Sequence, residues 1–265
     1  EVSSMKLWLD ASSLSTAGTT WDDKSGNNNH ATKNGSPSIA SGSNGLSVMR
    51  YSGTTGEYHS FPSMTDIRTV FWVLKKTGTN PNMLMLGDSS NYFFHPNGAG
   101  AMWNPSLDPV ANVREGTTKI NGSTVTGTST GIPTLFSVVS LKTTGNVTAS
   151  NFADDRHVVQ SGVNRVFEGD LGELLIFNAA LSDSDIAKIE GYLAHKWGLT
   201  GYLPNDHPYK LGLPTSASGS PSYIADTPFG SGKAIDLADG HVEVSTGESE
   251  DVFDGGAAFS VSAWV

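Results

Sequence analysis

Residues 167–210, FEGDLGELLIFNAALSDSDIAKIEGYLAHKWGLTGYLPNDHPYK, constrain the fold more than any other part of the chain. Glu173-Leu174-Leu175-Ile176-Phe177 is a short, mostly apolar run directly after Gly172, the pattern of a buried strand. Ser182 is placed to cap a helix, and Asp185, three residues on, to complete a capping box. Ile186, Ile189, Leu193 and Trp197 then fall on one stripe of a helix over about 183–197. Gly198 stands where a left-handed residue closes a helix, and Pro204 and Pro208 keep it from resuming. No other stretch reads as convincingly helical.

The remainder reads as strand and turn. Leu7-Trp8-Leu9 opens a first strand, and Trp21 leads into the polar loop DDKSGNNNHA. Leu46 to Tyr51 alternates into the Ser52-Gly53 turn, with Tyr58 to Phe61 expected to return as its hairpin partner. Thr69-Val70-Phe71-Trp72-Val73-Leu74 is β-branched and aromatic throughout, the strongest strand signal in the chain. Met83–Gly87 and Tyr92–His95 predict a second hairpin around Asp88-Ser89-Ser90-Asn91. Lys119-Ile120 enters an Asn-Gly turn, Leu135 to Leu141 is another strand, and residues 151–156 form a loop. Glycine is plentiful at 30 residues and charged side chains make up only 16%, so turns and strands outweigh helix. The expected fold is all-β: a two-sheet antiparallel jelly-roll sandwich with one C-terminal helix.

Charge narrows the partners. Net charge is −10, and from Leu211 onward one lysine faces eight carboxylates. Such a surface argues against nucleic acid and anionic membranes, and suits calcium or neutral glycans. The absence of cysteine excludes disulfides and thiolate zinc sites, and no apolar run approaches the ~20 residues of a membrane span. The chain opens at EVSSMKLWLD and stops at FSVSAWV, within strand-like residues, so both ends are expected to be cuts from a longer protein. An internal repeat is also legible: GLSVMRYSGTTGEYHSF followed by TVFWVL aligns with GKAIDLADGHVEV followed by FSVSAWV. Residues 1–210 then form one module, and 211–265 a linker (with SASGSPS part of it) and the truncated start of a second. The alternative is two ordinary hairpins in a single domain.

The segments LWLDAS, WDDKSGNNNHA, RYSG, TVFWVL and GDLGELLIFNAALSDSDIAKIEGYLAHKWGL with its LPNDHPYK tail resemble the LamG-like jelly-roll modules of the concanavalin A-like superfamily. The resemblance spans the first 210 positions and implies a module of a secreted or cell-surface bacterial protein. The second segment is similar to the start of another such module. The superfamily holds lectins, hydrolases, lyases and plain adhesion spacers, so the resemblance speaks for fold more than function.

Its glycosidases carry paired acids at E-x-D-x-x-E on one strand. Here Glu173 has no acid at i+2 or i+4, and Asp170, three residues before it, falls on the opposite face of a regular strand. No H-E-x-x-H or G-x-S-x-G motif occurs, and His195 reads as a surface or capping residue. The expectation is a module that is no enzyme, binding a glycan or cell-surface polysaccharide beside neighbouring modules of its parent chain. A spacer that binds nothing small, or less readily a polysaccharide hydrolase or lyase, are the alternatives. Calcium is the cofactor the resemblance and the loops suggest, with Asp22, Asp23 and Asn27 of the first loop as ligands. Asp154, Asp155 and Asp88 rank second, and Asp236, Asp239 and Glu243 serve only if the second module is complete. The alternative for the first loop is a turn in which an aspartate merely holds backbone amides. A glycan site needs an aromatic platform and planar hydrogen-bonding groups, and Tyr92, His95, Trp103, Asn104 and Arg114 supply that inventory. Trp103 is expected on a loop, as platform or as cover for the sandwich edge. Trp8, Trp21, Trp72, Trp197 and Trp264 are assigned to the core.

Overall fold

The computed structural model describes residues 4–155 and 165–212, together with the backbone of Ser222–Ala225 and Lys233–Asp236. The strands are β1 (Met5–Asp10), β2 (Thr20–Trp21), β3 (Ala31–Asn34), β4 (Ser38–Ser41), β5 (Ser47–Ser52) and β6 (Tyr58–Lys76). They continue with β7 (Thr117–Ile120), β8 (Ser123–Val125), β9 (Ser137–Phe152), β10 (Glu168–Phe177), β11 (Ser222–Ala225) and β12 (Lys233–Asp236). A one-turn helix, α1 (Ala111–Arg114), precedes β7, and the long helix α2 (Asp183–Lys196) follows β10.

The fold is an all-β antiparallel sandwich. The main sheet runs β4-β5-β10-β6-β9-β7-β8, with β1 also paired to β10, and β2 and β3 attached through β6. Two long strands carry the architecture. The first half of β6 pairs with β3 and the end of β9, whereas its second half lies between β10 and the start of β9. Register shifts between Ser60 and Thr69 separate those halves, and such bulges bend a strand so that it can serve both layers. Phe61, Met64 and Ile67 from one half and Val70, Trp72 and Leu74 from the other then meet in one core with Tyr51, Phe152, Phe167 and Trp21.

Strand β10 is buried along nearly its whole length because both faces are covered. Leu171, Leu174 and Ile176 face the main core, while α2 lies over the opposite face. A bulge between Leu171 and Glu173 changes the parity of the strand. Asp170 and Glu173 therefore share the face turned from the core, correcting the expectation of opposite faces.

Helix α2 is built as its spacing predicts. The Ser182 hydroxyl accepts from the Asp185 amide at 3.1 Å and donates to the Asp185 carboxylate at 2.6 Å. Ile186, Ile189, Leu193 and Trp197 are all buried. Gly198 closes the helix at φ +67°. The Asn121-Gly122 turn joins β7 to β8, both residues at positive φ. Two expected hairpins are absent. β10, not residues 58–61, lies beside β5, because it inserts between β5 and β6. Residues 83–95 form no strands: Met83 to Leu86 are buried without alternation, and a single bridge joins Gly87 to Asn151. Strand β9 also runs on to Phe152, into the expected loop.

By its internal contacts the chain divides into two compact units, Ser3–Leu213 and Pro214–Val265 with Glu1–Val2. In the second, β11 and β12 form an antiparallel pair, Ser222 opposite Asp236 and Ala225 opposite Lys233. The rest of the proposed repeat, with Asp239, Glu243 and Trp264, lies outside the described residues. No described helix is long and apolar enough to cross a membrane.

Candidate functional site

The first loop is closed on itself. Asp23 is buried, and its Oδ1 accepts from the amides of Trp8 at 2.8 Å and Ser25 at 2.9 Å. Its Oδ2 accepts from the Ser25 hydroxyl at 2.7 Å and the Asn29 amide at 2.9 Å. A carboxylate held by that many donors has no lone pair aimed at a cation. Asn27 turns its amide to the Met5 carbonyl at 2.8 Å, and the Asp22 side chain is 84% exposed beside His30. Asp22, Asp23 and Asn27 thus converge on no common point: the loop is the hydrogen-bonded turn. Among the described residues no group of three or more His, Asp or Glu side chains is arranged to hold a metal ion.

The aromatic inventory divides. Trp103 is 1% exposed; its indole sits in the core and donates to Thr118 Oγ1 at 2.8 Å, so it offers no ring face to a ligand. This corrects its placement as a platform: the apolar ring gains more from burial than from covering a loop. Asn104 caps its own turn, accepting from the Ser106 and Leu107 amides at 3.0 Å each. Arg114 donates to the Leu107 carbonyl at 3.0 Å and pairs with Glu115. Both hold loop backbone.

Tyr92 and His95 behave otherwise, because the fold brings them to Asp155, one of the second-rank metal candidates. The bridge between Gly87 and Asn151 lays the 83–95 segment along the end of β9. Gly87 is needed there, since a Cβ would fall 1.9 Å from the Asp154 carbonyl oxygen. The chain then turns sharply: Ala153 stands at φ +83°, a conformation L-residues other than Asn and Asp rarely adopt, and Asn151 Oδ1 accepts from the Asp154 amide at 3.2 Å. Asp154 and Asp155 follow, both buried. His95 is placed by its own turn, its amide bonded to the Tyr92 carbonyl, and by Phe94, which packs edge-on against Trp103. Trp103 therefore supports the site from beneath.

Around this point His95 Nε2 lies 3.7 Å from Asp155 Oδ2, and Arg165 donates to the same carboxylate at 2.8 Å. The Tyr92 ring stands edge-on to His95, centroids 5.8 Å apart, and is 38% exposed. Asp88, next to Gly87, accepts from the Ser90 amide and the Asn91 side chain. His95 is 7% exposed, yet among the described residues neither ring nitrogen has a hydrogen-bond partner; neither does Asn151 Nδ2, 1% exposed, nor Arg165 Nε. Buried polar groups left unpaired cost about 1–3 kcal/mol each, so their concentration beside two carboxylates is a chemical feature of the site. Nothing in the sequence singles out Asn151 or Arg165. Asn151 reads as an ordinary strand-ending residue, and Arg165 meets Asp155 only through the fold.

A second polar constellation lies under α2 and ties the first strand to the last helix. Glu173, fully buried, accepts from the indoles of Trp8 and Trp197 at 2.7 Å each and lies 3.1 Å from the Lys196 ammonium. Lys196 is also 2.9 Å from Asp10, which Lys24 meets at 2.7 Å. Burial alone would raise the Asp10 carboxyl, but Lys196 and Lys24 outweigh it and hold it down to about 2. Burial and the Asp10 charge push Glu173 upward, only partly offset by Lys196 and the two indoles. Asp170 is likewise enclosed, clamped by Arg50 at 2.7 and 2.9 Å with Lys75 at 3.2 Å. The network has no exposed acid to offer a substrate. Its partners account for it as a structural staple.

No family model matches the chain. No curated protein matches it. Among solved structures it is similar to the binding domain of Paraclostridial Mosquitocidal Protein 1, with a TM-score of 0.39 and 12% identity over 72% of this chain and 52% of that one. The chain thus spans about half the length of that structure, and a likeness at this level assigns neither a family nor a ligand.

Proposed function

We propose that the chain is a non-catalytic, LamG-like carbohydrate-binding or adhesion module of a larger exported bacterial protein, displayed outside the cell beside neighbouring modules. The observation that carries this reading is the gathering of Tyr92, His95, Asn151 and Asp155 where β9 ends, with the His95 ring and the Asn151 amide nitrogen buried and unpaired among the described residues. An exposed aromatic edge above a set of oriented polar groups is the inventory of a sugar site. The non-catalytic part rests on the enclosure of Asp170 and Glu173, which takes both candidate acids of the strand away from solvent.

A glycan array read with the wild-type chain and with Tyr92→Ala tests the proposal. Saturable binding by the wild type, weakened about tenfold or more in Y92A at an unchanged melting temperature, is the expected result. No binding by the wild type would leave the spacer reading, and release of reducing or unsaturated ends would revive a hydrolase or lyase.

A further inference from the structure

We infer that Lys196 and Asp10 join in an intramolecular amide bond, a covalent tie between β1 and the end of α2, with Glu173 moving the protons. Lys196 Nζ lies 2.9 Å from Asp10 Oδ2 and 3.1 Å from Glu173 Oε2, so nucleophile, acyl group and proton acceptor meet at one point. The Ser12 amide donates to the other Asp10 oxygen, Oδ1, at 2.9 Å. That donor stands where negative charge gathers when nitrogen adds to the carboxyl carbon. The indoles of Trp8 and Trp197 hold the two Glu173 oxygens at 2.7 Å each, which fixes Oε2 beside the ammonium. Both carboxylates are buried, and the Lys196 side chain is only 14% exposed. Lys24 also reaches Asp10 Oδ2, at 2.7 Å, but its side chain is 42% exposed, and the lysine that meets Glu173 is Lys196.

The step balances in atoms and charge. Glu173 takes a proton from the Lys196 ammonium, the freed amine adds to Asp10 Cγ, and the tetrahedral carbon expels Oδ2. That oxygen leaves as water with two of the three ammonium protons, one of them handed over by Glu173, and the third stays on the amide nitrogen. The resting pair is ionised. Burial alone would raise the Asp10 carboxyl, but Lys196 and Lys24 hold it down to about 2; burial alone would lower the Lys196 ammonium, but Glu173 and Asp10 raise it. The reacting amine is therefore a minor form, and the bond forms as a slow maturation of the folded chain. Burial and the Asp10 charge push the Glu173 carboxyl up, which makes it a stronger base toward the ammonium. Reacting groups held in place act at effective concentrations of about 10⁵–10⁸ M, and an amide carries none of the desolvation cost of a buried ion pair. Asp10 and Lys196 stand near the two ends of the compact unit Ser3–Leu213, so the bond closes most of that unit into one covalent loop. Like a long-range disulfide, it restricts the unfolded chain.

Mass spectrometry of the denatured full chain, at purification and after prolonged incubation in the folded state, provides the test. The expected result is loss of the mass of one water, with a branched tryptic peptide joining residues 7–24 to residues 189–210. Lys196→Arg and Glu173→Gln, each shown to fold by an unaltered circular dichroism spectrum, should keep the full mass. The wild-type measurement stands without them. An unchanged mass after incubation overturns the proposal. So does a lost water that maps elsewhere: to Lys24, which leaves an uncut peptide over residues 7–33, or to Asp239-Gly240 or Asp254-Gly255, where succinimide closure costs the same mass. A bond formed as readily in E173Q would overturn the role given to Glu173.

Discussion

His59 shows how a single residue can set the response of this molecule to acid. It is fully buried, with Nδ1 2.7 Å from the Tyr51 hydroxyl and the Trp21 ring edge-on at 5.3 Å. Burial, helped by the charge of Lys33, lowers its pKa from 6.5 to about 3, so the folded protein holds the ring neutral where the unfolded chain would protonate it. The unfolded state therefore binds more protons below pH 6.5. The contribution is fully present above 6.5 and is lost progressively as pH falls toward about 3, by an amount on the order of several kcal/mol. Denaturant melts between pH 7 and 4 should show that decline, and His59→Gln, which can still accept from Tyr51, should flatten it. An equal slope in both proteins would refute the assignment. At this scale much of the site was hidden. Trp103 stands in AMWNPSLDP, where proline and asparagine suggest a loop, and nothing local shows that Thr118, fifteen positions away, waits for its indole nitrogen. Tyr92, His95, Asp154 and Asp155 were legible as types suited to ligands, but their meeting depends on pairing across some sixty residues.

At the scale of the element, local signals succeed where the physics is local. The capping serine, the apolar stripe and the closing glycine of α2 all lie within one contiguous stretch, and each acts through the backbone beside it. Ser182→Ala should remove one cap bond and cost ~1 kcal/mol, read as a lower denaturation midpoint at an unchanged slope. An unchanged midpoint would contradict the cap. The hairpin between residues 46–51 and 58–61 failed because strand pairing is not a local property. Both stretches are strands, yet residues 49–52 pair with β10, more than a hundred residues later, and residues 58–60 with β3 and the end of β9. The bulge after Leu171 is a similar case. A regular alternation puts Asp170 and Glu173 on opposite faces, and only the extra residue, Gly172, brings them to one. Gly172 also leaves room for the Trp197 ring, which a Cβ would meet at 2.6 Å.

For the whole molecule, the all-β class followed from composition and turn density, whereas the layout of its two layers depends on β6 and β9 bending through both. The division of labour between its polar clusters is a property of that layout. Asp10, Glu173 and Lys196 are satisfied by one another and by two indoles, and bind the first strand to the last helix. The cluster where β9 ends is built with donors unpaired among the described residues. Satisfied groups stabilise, whereas the unpaired His95 ring and Asn151 amide are the groups the proposed ligand would bond. Hydrogen–deuterium exchange of the full chain, alone and saturated with the tightest-binding oligosaccharide from the array, tests this distinction most directly. Slowed exchange confined to residues 87–95 and 150–155, with β1, β10 and α2 unchanged, is the predicted result. Protection centred instead on Trp8, Glu173 and Lys196, or at neither place, would contradict it.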